Sequence, residues 1–275
     1  MNKYSQKRRS SFRKYLFICC LLVAFCLLAG LTYLLVWWPN LWIADIEVER
    51  NDVKEIAWQE IEFPYKNIFL VKIDQIKQKI LDRYPEIKEV SITRQLPNIL
   101  KIEIEERKNI GVWCQVKENP EDIEVQATST EEIVKVKRER EVDKCFYFDS
   151  EGVVFRDAPS IKGSLILNVY GTEESIKIRD KVISPEVIKF ILTVKEDLPK
   201  IKTASSWLPE AVDFEIFSFE DLRVMTNQDW QIYFNQTYSV ETQLDALRVI
   251  FNKEVELSNI IEYIDLRIEG RVYYR

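Results

Sequence analysis

The sequence predicts an α+β protein with one N-terminal transmembrane helix, a small β-α-α-β-β domain, and a mostly antiparallel β domain with two helices. Three observations predict this class. Residues 16–38 are uncharged and apolar, strand and helix patterns alternate after them, and short strand patterns dominate the rest. We place a basic tail at residues 1–15, the span at 16–38, the small domain at 41–108 and the β domain at 109–275.

The apolar segment is long enough to cross a membrane as a helix. At about 1.5 Å per residue, residues 16–38 extend about 34 Å, and a bilayer core is about 30 Å thick. Trp37 and Trp38 suit the far interface, and Pro39 ends the helix. A cleaved signal peptide is the alternative, but its apolar region would be shorter and would end at small residues.

The charges around the span predict its orientation. Basic residues precede the span, and no acidic residue occurs before Asp45. Because basic flanks favour the cytoplasmic side, we expect a cytoplasmic N-terminus and an extracytoplasmic remainder, the topology of a single-pass type II protein. The basic residues of the tail are Lys3, Lys7, Arg8, Arg9, Arg13 and Lys14.

The composition argues against nucleic-acid binding and against common catalytic chemistry. The chain has 39 Lys and Arg, 45 Asp and Glu, no His and a net charge of −6, so removing the six tail cations leaves −12. A nucleic-acid-binding surface would be basic. Without His, the commonest general base and the commonest neutral metal ligand are missing, and the 6 Gly form no phosphate-binding cluster. We expect no catalytic residue, cofactor, metal or small-molecule substrate.

The small domain begins with a strand directly after the span. Apolar residues alternate with acids over residues 42–48. A short helix is predicted over residues 57–61, and a longer one over 73–84 with Asp74 available as its N-cap. A hairpin follows, with its turn at residues 95–98. We expect the two helices to cover one face of a small mixed sheet.

This order of elements resembles the POTRA domain of the FtsQ/DivIB family. The order and spacing of four short phrases carry the likeness. Arg50-Asn51 departs from it, since the family often has Gly-Asn there. The phrases are Asn67-Ile68-Phe69, Tyr84-Pro85-Glu86-Ile87-Lys88-Glu89-Val90, Leu96-Pro97-Asn98-Ile99-Leu100 and Ile102-Glu103-Ile104-Glu105-Glu106-Arg107.

Two cysteines flank a charged insertion at residues 117–144. If the strands on either side pair antiparallel, Cys114 and Cys145 face each other. A disulfide in an oxidising compartment would then stabilise the fold by about 3–4 kcal/mol in the chain-entropy description. Two separately buried free thiols are the alternative. We expect the insertion to be an exposed loop, because nothing in it marks a docking site.

Strand patterns dominate the β domain, with two helices between them. Hairpins are predicted around turns at residues 150–152 and 227–229. One helix begins at Ser184-Pro185-Glu186, with Ser184 as N-cap, and another begins at Ser239. Residues 264–268 alternate apolar and charged side chains, which predicts a strand.

The resemblance to the FtsQ/DivIB family extends over nearly the whole chain. A short basic tail, one span, a POTRA domain and a β domain, in that order, are the architecture of that family. The strongest phrases in the β domain are Phe148-Asp149-Ser150-Glu151-Gly152-Val153-Val154-Phe155, Tyr263-Ile264-Asp265-Leu266-Arg267 and Arg271-Val272-Tyr273-Tyr274.

The resemblance implies a non-enzymatic cell division protein of the bacterial plasma membrane. Such proteins sit at the septum and hold the small bitopic proteins FtsB and FtsL, in a complex that controls septal peptidoglycan synthesis. The family makes this contact largely by strand addition at the end of the β domain. Carried over, this implies an edge strand that contains Arg271, Val272, Tyr273 and Tyr274. We expect one tyrosine in the core and the other as an anchor; alternatively both pack on their own domain.

Asp265 and Arg267 are the remaining candidates for partner contact. They lie on one face of the predicted strand. We expect them to form an exposed ion pair worth less than about 1 kcal/mol, and a contact with a partner protein is the alternative. A glycan-acting enzyme would instead use Asp265 and Glu269 as an acid–base pair. A POTRA-bearing chaperone or export factor would more often carry several POTRA repeats or a large barrel. We prefer the interpretation as a division scaffold over the enzyme and over the chaperone or export factor.

Overall fold

The computed structural model describes residues 3–50, 66–116, 142–160, 163, 165–172, 175–201, 209–253 and 262–275. The chain divides into two compact units, Met1–Glu106 and Arg107–Arg275. The fold is α+β, as the sequence predicts, with an N-terminal apolar helix, a small sheet in the first unit and a large mixed sheet in the second.

Helix α1 runs over Lys3–Trp37, which makes it longer than the predicted span. No Pro or Gly interrupts the basic tail, so the helix continues through it. Within α1, Lys14–Leu34 is long and apolar enough to cross a membrane. The helix ends before Pro39, because a residue that precedes proline is driven out of the helical conformation.

The sheet of the first unit has three strands in the order β1-β3-β2, with one described helix. Strand β3 pairs parallel with β1 and antiparallel with β2. Apolar side chains of the helix, Ile76 and Ile80, are buried in one core cluster with Val90 and Ile102 of the sheet. The elements are β1 Asp45–Arg50, α2 Ile73–Arg83, β2 Ile87–Gln95 and β3 Ile99–Glu106.

Two details of this unit differ from, or lie beyond, the sequence prediction. Lys72 occupies the N-cap of α2 without a side-chain cap, so the prediction of Asp74 as N-cap is wrong. Asp74 instead lies in the first turn, where its charge is favourable at the positive end of the helix dipole. The predicted short helix at residues 57–61 lies outside the described residues.

The second unit is built on a nine-stranded sheet in the order β12-β11-β10-β9-β8-β7-β4-β5-β6. Neighbouring strands are antiparallel except in the pairs β4–β7, β7–β8 and β10–β11. The strands are β4 Gly111–Val116, β5 Val142–Phe148, β6 Val154–Ala158, β7 Asn168–Gly171, β8 Ala211–Ser218, β9 Asp221–Thr226, β10 Gln231–Phe234, β11 Tyr263–Asp265 and β12 Tyr273–Tyr274.

Two helices pack on the large sheet, α3 over Pro185–Asp197 and α4 over Val240–Lys253. Ser184 caps α3 as predicted, because its Oγ accepts a hydrogen bond from the Val187 N–H at 3.3 Å. Apolar side chains from both helices and from alternate strand positions form one continuous core. Its members include Ile188, Ile191, Val194, Leu244, Leu247, Phe214, Val224, Ile232 and Ile264.

The turn between β5 and β6 is held by one aspartate and one glycine. Asp149 accepts hydrogen bonds from the N–H groups of Glu151 and Val153 at 2.9 and 3.0 Å. Its second carboxylate oxygen is paired with Arg107, and the Asp149 side chain is only 3% exposed. Gly152 adopts φ +79°, in the left-handed region that glycine favours.

The structure brings Cys114 and Cys145 together. They are directly opposite on β4 and β5, and their sulfurs are bonded at 1.97 Å. Both residues are buried. Strand β5 begins at Val142, so the predicted end of the charged insertion at residue 144 is wrong, while residues 117–141 lie outside the described part of the chain.

Candidate partner-binding surface

The C-terminal strand β12 is an edge strand of the large sheet. It pairs antiparallel with β11, with Tyr273 opposite Asp265 and Tyr274 opposite Ile264. Arg275 and Tyr263 exchange backbone hydrogen bonds of 3.2 and 3.4 Å. Among the described residues, β11 is the single strand beside β12. The sheet therefore ends at the strand that carries the two candidate tyrosines.

Both tyrosines are nearly half exposed, Tyr273 at 46% and Tyr274 at 45%. The expectation that one of them lies in the core is therefore wrong. The physical reason is that an edge strand has side-chain neighbours on one flank only, so neither ring is enclosed. The strand is also shorter than predicted, because Arg271 and Val272 precede it. Val272 packs, partly buried, against the main core.

A row of polar and aromatic side chains continues from Tyr273 across the sheet. Tyr273 lies opposite Asp265, Asp265 opposite Tyr233, and Tyr233 opposite Arg223. Successive strand residues point to opposite faces, and the neighbours of these residues in sequence are core residues such as Val224, Ile232 and Ile264. The row therefore lies on the face of the sheet opposite the main core.

Two arginines and two aspartates form a network on this face. Arg267 bonds Asp265 through Nη2 at 2.7 Å and Nε at 3.0 Å, and its Nη1 lies 3.0 Å from Asp221. Arg223 bonds Asp221 through Nη2 at 2.9 Å. Both carboxylate side chains are 17% exposed. The predicted pairing of Asp265 with Arg267 is present, but the expectation that the pair is exposed is wrong, because both residues belong to a partly buried, bidentate network.

Aromatic rings lock the arginines in place. The guanidiniums of Arg223 and Arg267 lie 5.1 and 4.9 Å from the centre of the Tyr233 ring. Tyr233 stacks on Tyr263 at 5.2 Å with an interplanar angle of 7°, and Arg223 also lies 4.1 Å from the Phe217 ring. We call these five residues the aromatic–arginine cluster. Tyr and Arg are enriched at protein interfaces, so this cluster is a candidate contact surface.

The network shifts the pKa of its charged groups. Burial by itself raises the pKa of the Asp265 carboxyl. The hydrogen bonds from the Arg267 side chain and N–H, with the positive charges of Arg267 and Arg223, outweigh that effect and bring the pKa below its ordinary value. The hydrogen bond to Asp265 correspondingly raises the pKa of Arg267. Both groups therefore remain charged at neutral pH.

We predict that Asp265→Asn lowers the free energy of unfolding by about 1 kcal/mol at neutral pH, the upper end for a partly exposed pair. Because the folded-state pKa of Asp265 is lowered, its stabilisation is present above the ordinary value of 3.8 and is lost as the pH falls through the folded-state pKa. The difference between wild type and variant should therefore shrink in acid. Urea unfolding of both proteins at a series of pH values measures it.

Asp245→Asn is the matched control for this prediction, because Asp245 pairs with Arg248 on an exposed helix surface. We expect it to match wild type at every pH. A difference for Asp265→Asn that stays constant into strong acid would contradict the assignment to the charged carboxylate.

Sequence reasoning missed most of this surface. Asp221, Arg223, Tyr233 and Tyr263 were not among the predicted site residues. A weak signal was available, because Asp221 and Arg223 alternate with the apolar Leu222 and Val224 in the predicted hairpin. The sequence does not show that β11 lies parallel to β10. This pairing places Arg267 next to Asp221.

Comparison with known families identifies the first unit. Its sheet and helix belong to a POTRA domain: residues 45–107 match the family model of the POTRA domain, FtsQ-type. The chain is thus an α+β protein with one N-terminal apolar helix, a POTRA domain and a mixed-sheet domain. The match supports assignment to the FtsQ/DivIB family, in agreement with the resemblance in the sequence. No curated protein matches the chain significantly.

The POTRA match bears on membrane attachment and on catalysis. The apolar helix and the FtsQ-type domain together fit a single-pass membrane protein of the division machinery. Proteins with this type of POTRA domain are generally non-enzymatic.

Proposed function

We propose that this chain is a non-enzymatic bitopic scaffold of the bacterial divisome. It binds FtsB- and FtsL-type partners through the end of its β domain and helps control septal peptidoglycan synthesis. The observation that carries the proposal is the position of β12, which ends the nine-stranded sheet with two half-exposed tyrosines, on the same sheet as the aromatic–arginine cluster.

The proposed topology follows from the charge pattern. The basic tail lies in the cytoplasm, α1 crosses the plasma membrane and the POTRA and β domains lie outside, at the division septum. This places the Cys114–Cys145 bond in a compartment where disulfides persist.

The proposed contact is strand addition to β12. An edge strand offers backbone groups to an extended segment, and side chains along the row give the contact its specificity. Tyr273 and the aromatic–arginine cluster lie on one face, where they would contact side chains of the added segment.

The state of Asp265 supports a scaffold over a glycan-cleaving enzyme. A general acid in such an enzyme needs a raised pKa, so that it holds a proton near neutral pH. The pKa of Asp265 is lowered, and both of its oxygens accept hydrogen bonds from Arg267. Both oxygens of this ionised carboxylate are thus occupied by hydrogen bonds within the network.

We expect Val272→Pro, directly before β12, to weaken binding of the FtsB- and FtsL-type proteins of the same organism by about 10–100-fold. The substitution removes one backbone donor at the start of this edge, and an unmade hydrogen bond to an added strand costs about 1–3 kcal/mol. Proline is tolerated on an edge strand, so the fold should persist. Co-purification and binding titration of the full-length protein in detergent measure the change.

Val272→Ala is the matched control, because it also removes the valine side chain but keeps the N–H. A larger loss for the proline variant than for the alanine variant indicates main-chain pairing. Equal binding by wild type and both variants would refute strand addition at this edge. Glycan turnover by the protein that Asp265→Asn abolishes would refute the scaffold itself.

A further inference from the structure

Three large apolar side chains project from two turns of the POTRA domain. Phe69, Leu70 and Leu96 are 51%, 46% and 62% exposed. Phe69 and Leu70 occupy the turn before α2, and Leu96 lies in the turn between β2 and β3. None belongs to the core of the first unit. Exposed apolar groups gathered at one place indicate an interaction surface.

Hydrogen bonds fasten the first turn to the end of α1. The Asn67 side-chain Nδ2 donates to the Val36 carbonyl in the last turn of the helix, at 3.0 Å. The Ile68 N–H donates to the Leu41 carbonyl at 2.9 Å, and the Ile43 N–H donates to the Lys66 carbonyl at 2.7 Å. The turn is therefore held beside the point where the apolar helix ends.

The second turn is fastened to the same place. Arg94, at the end of β2, donates from Nε to the Ile68 carbonyl at 2.8 Å and from Nη2 to the Val71 carbonyl at 3.0 Å. On the other side of the turn, Asn98 accepts a hydrogen bond from the Ala44 N–H at 3.0 Å. The two turns and the helix end thus form one connected group within the first unit.

Aromatic and basic residues around this group are those of a membrane–water interface. Trp37, Trp38 and Trp42 are exposed at the helix end and directly after it. Tryptophan is enriched at the headgroup level of the bilayer, where its ring contacts lipid and its N–H remains hydrated. The Lys66 ammonium lies 6.0 Å from the Trp42 ring centre, a position from which it can reach a headgroup phosphate.

We propose that this end of the POTRA domain is seated in the membrane surface, with Phe69, Leu70 and Leu96 inserted among the lipid headgroups. The inference rests on the membrane span of the proposed function. The position of α1 in the bilayer determines how close the two turns, which are hydrogen-bonded near its end, lie to the membrane surface. A bilayer that covers Lys14–Leu34 places the helix end, and hence both turns, at its surface. Apolar side chains exposed there enter the headgroup boundary, as those of interfacial segments do.

The test uses the full-length protein in nanodiscs of phosphatidylcholine and phosphatidylglycerol that contain nitroxide-labelled lipid. Cys19, Cys20 and Cys26 are replaced by Ala, the bonded Cys114–Cys145 pair is kept, and a small fluorophore is attached at Phe69→Cys or Leu96→Cys. Glu105→Cys is the control, since Glu105 is exposed and lies about 20 Å further along β3 than Ile99. A fourth protein keeps Cys26 alone as a reporter within the span.

We expect the labels at positions 69 and 96 to lose most of their emission to the nitroxide lipid, as the Cys26 label does, and the label at 105 to keep its emission. Unquenched labels at 69 and 96 beside a quenched Cys26 label overturn the seating and leave the anchor intact. If those unquenched labels are also shielded from an aqueous quencher, a protein surface covers the turns instead. An unquenched Cys26 label overturns the span and the seating together.

Discussion

Gly152→Ala should destabilise the second unit by about 3–5 kcal/mol, because it combines a strained backbone with a direct clash. Gly152 adopts φ +79°, and a Cβ at this position would lie 1.8 Å from the Ile183 carbonyl oxygen. That oxygen belongs to the backbone just before α3, so it cannot move aside as the end of a flexible side chain could. Guanidinium chloride unfolding of the detergent-solubilised protein, followed by near-UV circular dichroism, measures the loss.

Gly270→Ala is the matched control. Gly270 adopts a similar φ of +70°, but nothing lies within 4 Å of its Cβ position. The left-handed conformation alone then costs about 1–2 kcal/mol. The excess loss at Gly152 isolates the clash with Ile183. Equal losses for the two variants would show that the backbone around Ile183 relaxes and that only the dihedral angle matters.

Local patterns explain which parts of the fold the sequence predicts well. The strand over residues 99–106 alternates apolar and charged side chains, and its buried residues are Leu100, Ile102 and Ile104. The cap at Ser184 depends on residues adjacent in sequence, so it is equally visible. These features need no knowledge of distant parts of the chain.

Pairing between distant segments explains what the sequence does not reveal. The parallel contacts of β7 with β4 and β8, and of β10 with β11, join segments that are far apart in the chain. The aromatic–arginine cluster depends on such a contact, since Tyr233 meets Arg267 only through the β10–β11 register. Sequence patterns identified Asp265 and Arg267 as a pair but not the Asp221 and Arg223 that complete the network.

One of the phrases in the β domain that resemble the family, residues 148–155, has a physical basis. In residues 148–155, Asp149 shapes the turn through two backbone hydrogen bonds. Gly152 adopts the left-handed conformation and, because it has no Cβ, avoids the Ile183 carbonyl. The pairing of Asp149 with Arg107 adds a charge constraint to the same turn. The resemblance therefore falls where few other residue types would fit.

Asp149→Ala should cost about 3–5 kcal/mol of unfolding free energy, the range for removing one partner of a buried ion pair. The variant loses both hydrogen bonds to the turn and leaves Arg107, whose side chain is 14% exposed, without its carboxylate partner. The same guanidinium chloride experiment measures the loss.

Two further variants separate the causes of this loss. Asp149→Asn keeps an oxygen that can accept from Glu151 and Val153 but loses the acceptor for Arg107, so it tests the pairing with Arg107 apart from the turn hydrogen bonds. Replacing Arg107 by Leu in the Asp149→Ala background removes the buried guanidinium that has lost its carboxylate partner. We therefore expect the Asp149→Ala/Arg107→Leu double variant to be more stable than Asp149→Ala by about 1 kcal/mol or more. If the double variant is less stable than Asp149→Ala, Arg107 contributes to the fold through packing rather than through its pairing with Asp149. In that case the turn hydrogen bonds account for the role of Asp149.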